Sequence, residues 1–134
     1  MSPKFKTRMN VFLFLLVLLD LFLSSFALFF QEHWFRIFMD APLVDPGGIL
    51  ARTGALWAAF TLWQLVALLR WQREPFWLCV VAGIRLTEIF TDWVWLYSAD
   101  HVTWAAWLAW GISPPGNLVF GIILIWAYKK VTSK

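Results

Sequence analysis

Five ionisable residues lie inside long apolar stretches of this chain, and their types and spacing hold most of its chemistry: Asp20, Arg52, Arg85, Glu88 and Asp92. Arg85, Glu88 and Asp92 stand at i, i+3 and i+7, one face of a helix, with Thr87 and Thr91 flanking the stripe. Left alone in hydrocarbon, such a group costs at least about 2.5–3.5 kcal/mol, so all five must face inward and find partners. Asp20 and Arg85 fall at matching depth, which predicts one ion pair; Arg52 lies closer in depth to Glu88 and Asp92, which predicts a second with either acid. Three acids against two bases leave one acid over. Glu88, the deeper of the remaining two, is the residue expected to hold a proton, a cation or the positive group of a ligand. The network then either fixes helix register, where apolar packing gives little specificity, or forms a pocket or relay.

The elements that must position these residues are read from composition first. Of 134 residues, 61% are hydrophobic, 19% aromatic and only 14% charged, against about a quarter charged in an ordinary soluble domain. The solvent this composition fits is lipid, and a nucleic-acid binder living in water is excluded. A crossing helix needs roughly 20 mainly apolar residues. Four such spans are expected in a single domain over 1–134, at about 10–30, 47–69, 75–97 and 113–130. Asp45-Pro46 signals the start of the second, and Ser113 with Pro114 the start of the fourth. The fold class expected is all-α, a four-helix membrane bundle with short interfacial helices in its two longer connections.

Lys4, Lys6, Arg8, Arg70, Arg73, Lys129, Lys130 and Lys134 lie on one side of these spans, and Arg36 is the only basic residue in the opposite connections. The positive-inside rule then puts both termini in the cytoplasm, with a bacterial inner membrane the simplest host. Aromatic belts are expected to agree: Trp34, Trp93, Trp95, Tyr97, Trp104, Trp107 and Trp110 outside, Trp71, Trp77, Trp126 and Tyr128 inside. A basic start, an apolar core and Ser25-Phe26-Ala27 also fit a signal peptide, although the core is long and contains Asp20. A faint echo at a spacing of 68–69 aligns Asp20 with Glu88, Glu32-His33 with Asp100-His101, and Pro46-Gly47 with Pro115-Gly116, as a duplication would.

His33 and His101, each preceded by an acid, Glu32 and Asp100, are the only residues resembling a metal site. Imidazole with carboxylate suits zinc, yet the spacing matches no compact ligand motif, so no metal and no cofactor are expected. The single cysteine, Cys79, excludes an intramolecular disulfide and reads as a packing residue. Gly54 with Ala58, or Ala55 with Ala59, gives a small-xxx-small spacing for close helix approach, within the bundle or in a dimer. No phosphate-binding glycine loop, nucleophile elbow or HExxH is present, which removes the familiar NTPase and hydrolase signatures.

The four-span plan, Arg52-Thr53-Gly54, Arg85-Leu86-Thr87-Glu88 and Asp92-Trp93 resemble small bacterial inner-membrane proteins of the DoxX-like group. That resemblance implies a subunit or quinone-site role in a membrane complex, while the lack of redox cysteines argues against a self-contained oxidoreductase. The function expected is a non-enzymatic membrane protein that binds a lipid, quinone or other amphiphile, forms a homo-oligomer, or serves other membrane subunits. The alternatives are a membrane enzyme, isomerase- or oxidoreductase-like, with Glu88 or Asp92 as general acid or base, or a proton or ion pathway along Asp20, Glu88 and Asp92.

Overall fold

A computed structural model describes residues 1–99 and 101–133. Among these, five α-helices and no strand occur: α1 (Pro3–Phe29), α2 (Gln31–Met39), α3 (Ile49–Arg70), α4 (Phe76–Ser98) and α5 (Trp104–Thr132). Helix α1 begins well before Asn10 because Ser2 caps it, its hydroxyl accepting from the Phe5 N–H at 3.3 Å, and Pro3 sits where a missing N–H does no harm. The Asp45 carboxylate accepts from the Ile49 and Leu50 N–H groups at 2.8 and 2.9 Å and so starts α3.

The fourth expected span is corrected at its start. Helix α5 begins at Trp104, not after Ser113, and absorbs the stretch expected to be a separate interfacial helix. Thr103 caps it, accepting from the Ala106 N–H at 3.2 Å, while its own hydroxyl and N–H donate to the Ile37 and Phe38 carbonyls at the end of α2. Helix α5 then runs through Pro114 and Pro115. Neither proline has an N–H, so the Trp110 and Gly111 carbonyls lose their ladder donors. Capping and the packing of Ala106 and Trp110 into the core hold the helix together across that weak turn. The proposed duplication does not match element for element: Pro46-Gly47 forms the turn before α3, whereas Pro115-Gly116 lies inside α5.

Helices α1 and α3 pack closely as one pair, α4 and α5 as another, and α3 touches α4 more sparsely. Each pair has one glycine at its tightest point. A Cβ on Gly54 would come within 2.9 Å of Leu28 Cγ and 3.1 Å of Ala27 Cβ; one on Gly121 would meet Leu86 Cδ2 at 2.8 Å. The Ser24 hydroxyl also donates to the Gly54 carbonyl at 2.8 Å.

Two apolar clusters close the ends of the bundle. At the end holding the termini, Met9, Leu13, Leu16, Ala67, Trp71, Leu78, Val81, Ala82, Leu124 and Ala127 pack together. At the α2 end, Ala27, Trp34, Leu50, Trp57, Leu96, Ala106 and Trp110 do so, with Trp34, Phe38, Trp95 and Trp110 ring against ring. The expected aromatic belts are therefore split. Trp34, Trp71 and Trp110 are buried core residues, whereas Trp93, Tyr97, Trp104, Trp107 and Trp126 remain exposed.

Helices α1, α3 and α5 are each long and apolar enough to cross a membrane. Helix α4 matches them in length, at 23 residues, but every 18-residue stretch of it contains Arg85, Glu88 and Asp92. Its outward side is nevertheless apolar, since Leu86, Phe90, Trp93 and Val94 are exposed. Phe22, Leu62 and Ile122 continue this apolar exterior on the other helices. In water so extended an apolar surface is an aggregation hazard; in lipid it is the expected exterior.

Candidate functional site: a polar layer between two apolar clusters

The buried polar side chains gather between the two clusters. Asp20, Ser24, Gln64, Arg85, Glu88, Asp92 and Asn117 are all buried, with Asp20 and Gln64 fully enclosed. Helical periodicity explains who points inward. On α3 the buried positions Leu50, Gly54, Trp57, Gln64 and Ala67 recur at spacings of three, four and seven, and on α4 Leu78, Val81, Arg85, Glu88, Asp92 and Leu96 do the same.

The side chains form a directed chain of hydrogen bonds across four helices. Arg85 forms an ion pair with Asp20 through Nη2 and Oδ2, both residues almost wholly buried. The Gln64 amide donates to the same Asp20 oxygen at 2.5 Å. On its other side Arg85 donates through Nη1 to Asn117 Oδ1 at 3.4 Å; Asn117 Nδ2 donates to Ser113 Oγ at 3.1 Å; and the Ser113 hydroxyl donates to Asp92 Oδ2 at 2.5 Å. Within the α1–α3 pair the link is Asp20 to Gln64. Within the α4–α5 pair the links are Arg85 to Asn117 and Ser113 to Asp92. Arg85 to Asp20 is the hydrogen-bonded ion pair that joins the two pairs.

The remaining predicted residues fall differently. Glu88 is buried on the same face as Arg85 and Asp92 and lies beside Trp57 of α3. Arg52 is exposed and, among the described residues, makes no ion pair, so the second predicted pair is absent. The reason is rotational: at 100° per residue, Arg52 lies two positions from both Leu50 and Gly54 and therefore on the opposite side of α3 from the buried face. His33 and His101 are both exposed, the first on α2 and the second in the segment before α5. Asp100, the acid preceding His101, lies outside the described residues, as does Lys134. No cluster of three or more His, Cys, Asp or Glu suited to a metal occurs among the described residues.

Sequence reasoning missed Gln64, Ser113 and Asn117. Ser113 and Asn117 stand at i, i+4 on α5, and Gln64 is the lone amide of α3; each is a polar side chain inside an apolar run, the same signal that marked the charges, in a weaker form.

Chemically the layer is one ion pair, two further carboxylates and two amides at the centre of the bundle. Asp20 Oδ1, Gln64 Oε1 and Arg85 Nε, grouped around the ion pair, are buried without a hydrogen-bond partner. Two open grooves lie elsewhere, one lined by Phe5, Arg8, Met9, Trp126 and Lys130, the other by residues 28–33. Compared with family models, curated proteins and solved structures, the chain matches none.

Proposed function

We propose that the chain is a non-enzymatic integral membrane protein of the bacterial inner membrane. In this reading α1, α3, α4 and α5 are the four spans of a bundle, both termini are cytoplasmic, and the polar layer holds its two helix pairs in register. The bundle with its buried charged network then binds a lipid or small amphiphile, or docks on other membrane subunits or a second copy. The Asp20–Arg85 pair carries the reading: a buried ion pair bridging two helix pairs has the geometry of a register-fixing contact. Burial of all three charges on α4 supports its assignment as a span.

Two measurements test this. Lysine-directed labelling from the outer face of sealed cells should modify neither Lys4 nor Lys130; reaction at one alone overturns the four-span topology. The DoxX-like resemblance makes ubiquinone the first amphiphile to try. Glu88→Gln should alter its quenching of tryptophan fluorescence while leaving the unfolding midpoint in detergent unchanged. A midpoint lowered as far as by loss of Asp20 instead makes Glu88 part of the frame, and binding identical to the parent removes the acid from any ligand site.

The hydrogen-bonded chain from Asp20 to Asp92 favours a second reading, proton or ion passage along Asp20, Glu88 and Asp92, with Glu88 buried beside that chain rather than a link in it. Against it, Arg85 and Asp92 are separated by only about 10 Å of helix, a third of the hydrocarbon thickness, and apolar clusters close both ends. Flux in reconstituted vesicles that survives neutralising all three acids dismisses it. A membrane enzyme needs a cavity ending at Glu88 or Asp92, and a bound substrate analogue there would revive that alternative.

A further inference from the structure

The first turns of α1 carry Lys4, Lys6 and Arg8 and no acid, so cationic side chains crowd the positive end of a helix dipole, an arrangement that is unfavourable unless an anion is near. Across a groove from them lies the last turn of α5. There Lys130 is held with Nζ 4.6 Å from the centre of the Trp126 ring and 4.9 Å from that of Phe5. Among the described residues, none of Lys4, Arg8 and Lys130 has an acidic partner within 4.0 Å. The groove has a volume of about 400 Å³ and two chemically distinct parts. Ser2, Lys4, Arg8 and Lys130 form its polar mouth, and Phe5, Met9, Phe12, Ile123 and Trp126 form an apolar floor leading toward the bundle centre.

We propose that this groove between the start of α1 and the end of α5 binds an anionic glycerophospholipid, its phosphodiester among Lys4, Arg8 and Lys130 and an acyl chain along Met9, Phe12 and Ile123. Charge complementarity selects the headgroup, because three cations meet there with no acidic partner among the described residues. The apolar floor selects a lipid over a free phosphate, since an inorganic anion leaves it bare. The positive ends of α1 add to the attraction, as helix N-termini do for phosphates generally. Lipid occupancy presupposes the membrane-embedded bundle proposed above but does not depend on what the polar layer does.

Native mass spectrometry of the full chain, released from mild detergent micelles, tests this with equal amounts of phosphatidylglycerol and phosphatidylcholine of the same acyl chains. The expected result is a preference of about tenfold for phosphatidylglycerol. The Arg8→Gln/Lys130→Gln variant should lose it, and each single change should lower it, so a double variant that does not fold still leaves the site open to refutation. Arg70→Gln/Arg73→Gln, at the same end but away from the groove, should keep it. Equal retention of the two lipids, equal loss in the Arg70/Arg73 variant, or full displacement by inorganic phosphate each overturns the lipid site. A chain that stays soluble without detergent overturns instead the membrane reading on which the site rests.

Discussion

The α1–α3 and α4–α5 pairs are alike at their closest contact and unlike in charge. Each is drawn together by one glycine, Gly54 in the first and Gly121 in the second, with a partner leucine pressed against it. The first pair buries a single carboxylate, Asp20, with an amide and the Ser24 hydroxyl; the second buries a guanidinium, two carboxylates and an amide, with the partly buried Ser113 hydroxyl bonded to them. Taken separately, the first would enclose an unmatched anion. Joined, Asp20 receives Arg85. Small residues thus set the spacing inside each pair, while opposite charge sets how one pair meets the other, a division suited to a solvent in which apolar contact between helices gives little preference.

The largest effect expected is from Asp20→Asn, which strands Arg85 in the interior and should lower stability in detergent by about 3–5 kcal/mol. Asp20→Asn/Arg85→Met should regain part of that loss, because neither member of the pair is then left facing an absent partner, while Glu88 and Asp92 lose the nearby guanidinium. A single variant as stable as the parent in reversible unfolding followed by tryptophan fluorescence breaks the comparison at its centre. Next comes Gly54→Ala, at about 1–3 kcal/mol, since the new Cβ meets Ala27 Cβ, which is fixed to the backbone. Gly121→Ala should cost less, below about 1 kcal/mol, because only the half-exposed Leu86 side chain has to swing aside. The reverse order would mean that the α4–α5 contact is the more rigid of the two. Smallest is Arg52→Gln, expected within about 0.5 kcal/mol of the parent, and a larger loss would return Arg52 to the network.

Depth arithmetic in the sequence led to Asp20 and Arg85 as partners, because in apolar runs of known length the distance from an end is a coordinate. The same arithmetic failed for Arg52, since depth says nothing of rotation; the buried spacing of Leu50, Gly54, Trp57 and Gln64 supplies the missing angle. Helix α5 was legible in its second half and not in its first. Prolines at 114 and 115 read as a start, and only the contact of Thr103 with the end of α2, a tertiary fact, extends the helix back to Trp104. Gln64 and Asn117 escaped notice because an uncharged polar residue in a span carries a smaller penalty and so a fainter signal, whereas Ser113, ahead of two prolines, reads as a helix start rather than as a site residue.

The paired prolines make α5 a jointed rod. Its upper arm, anchored beside α2 through Thr103 and Trp110, and its lower arm, packed into the bundle through Gly121 and Leu124, meet where two ladder bonds are missing and flexing is least resisted. Ser113 and Asn117 sit immediately on either side of that joint, bonded to each other, and Ser113 is latched to Asp92 on α4. The polar layer therefore braces α5 at its weakest turn, where Ser113, next to the two prolines, is tied to Asp92 on α4.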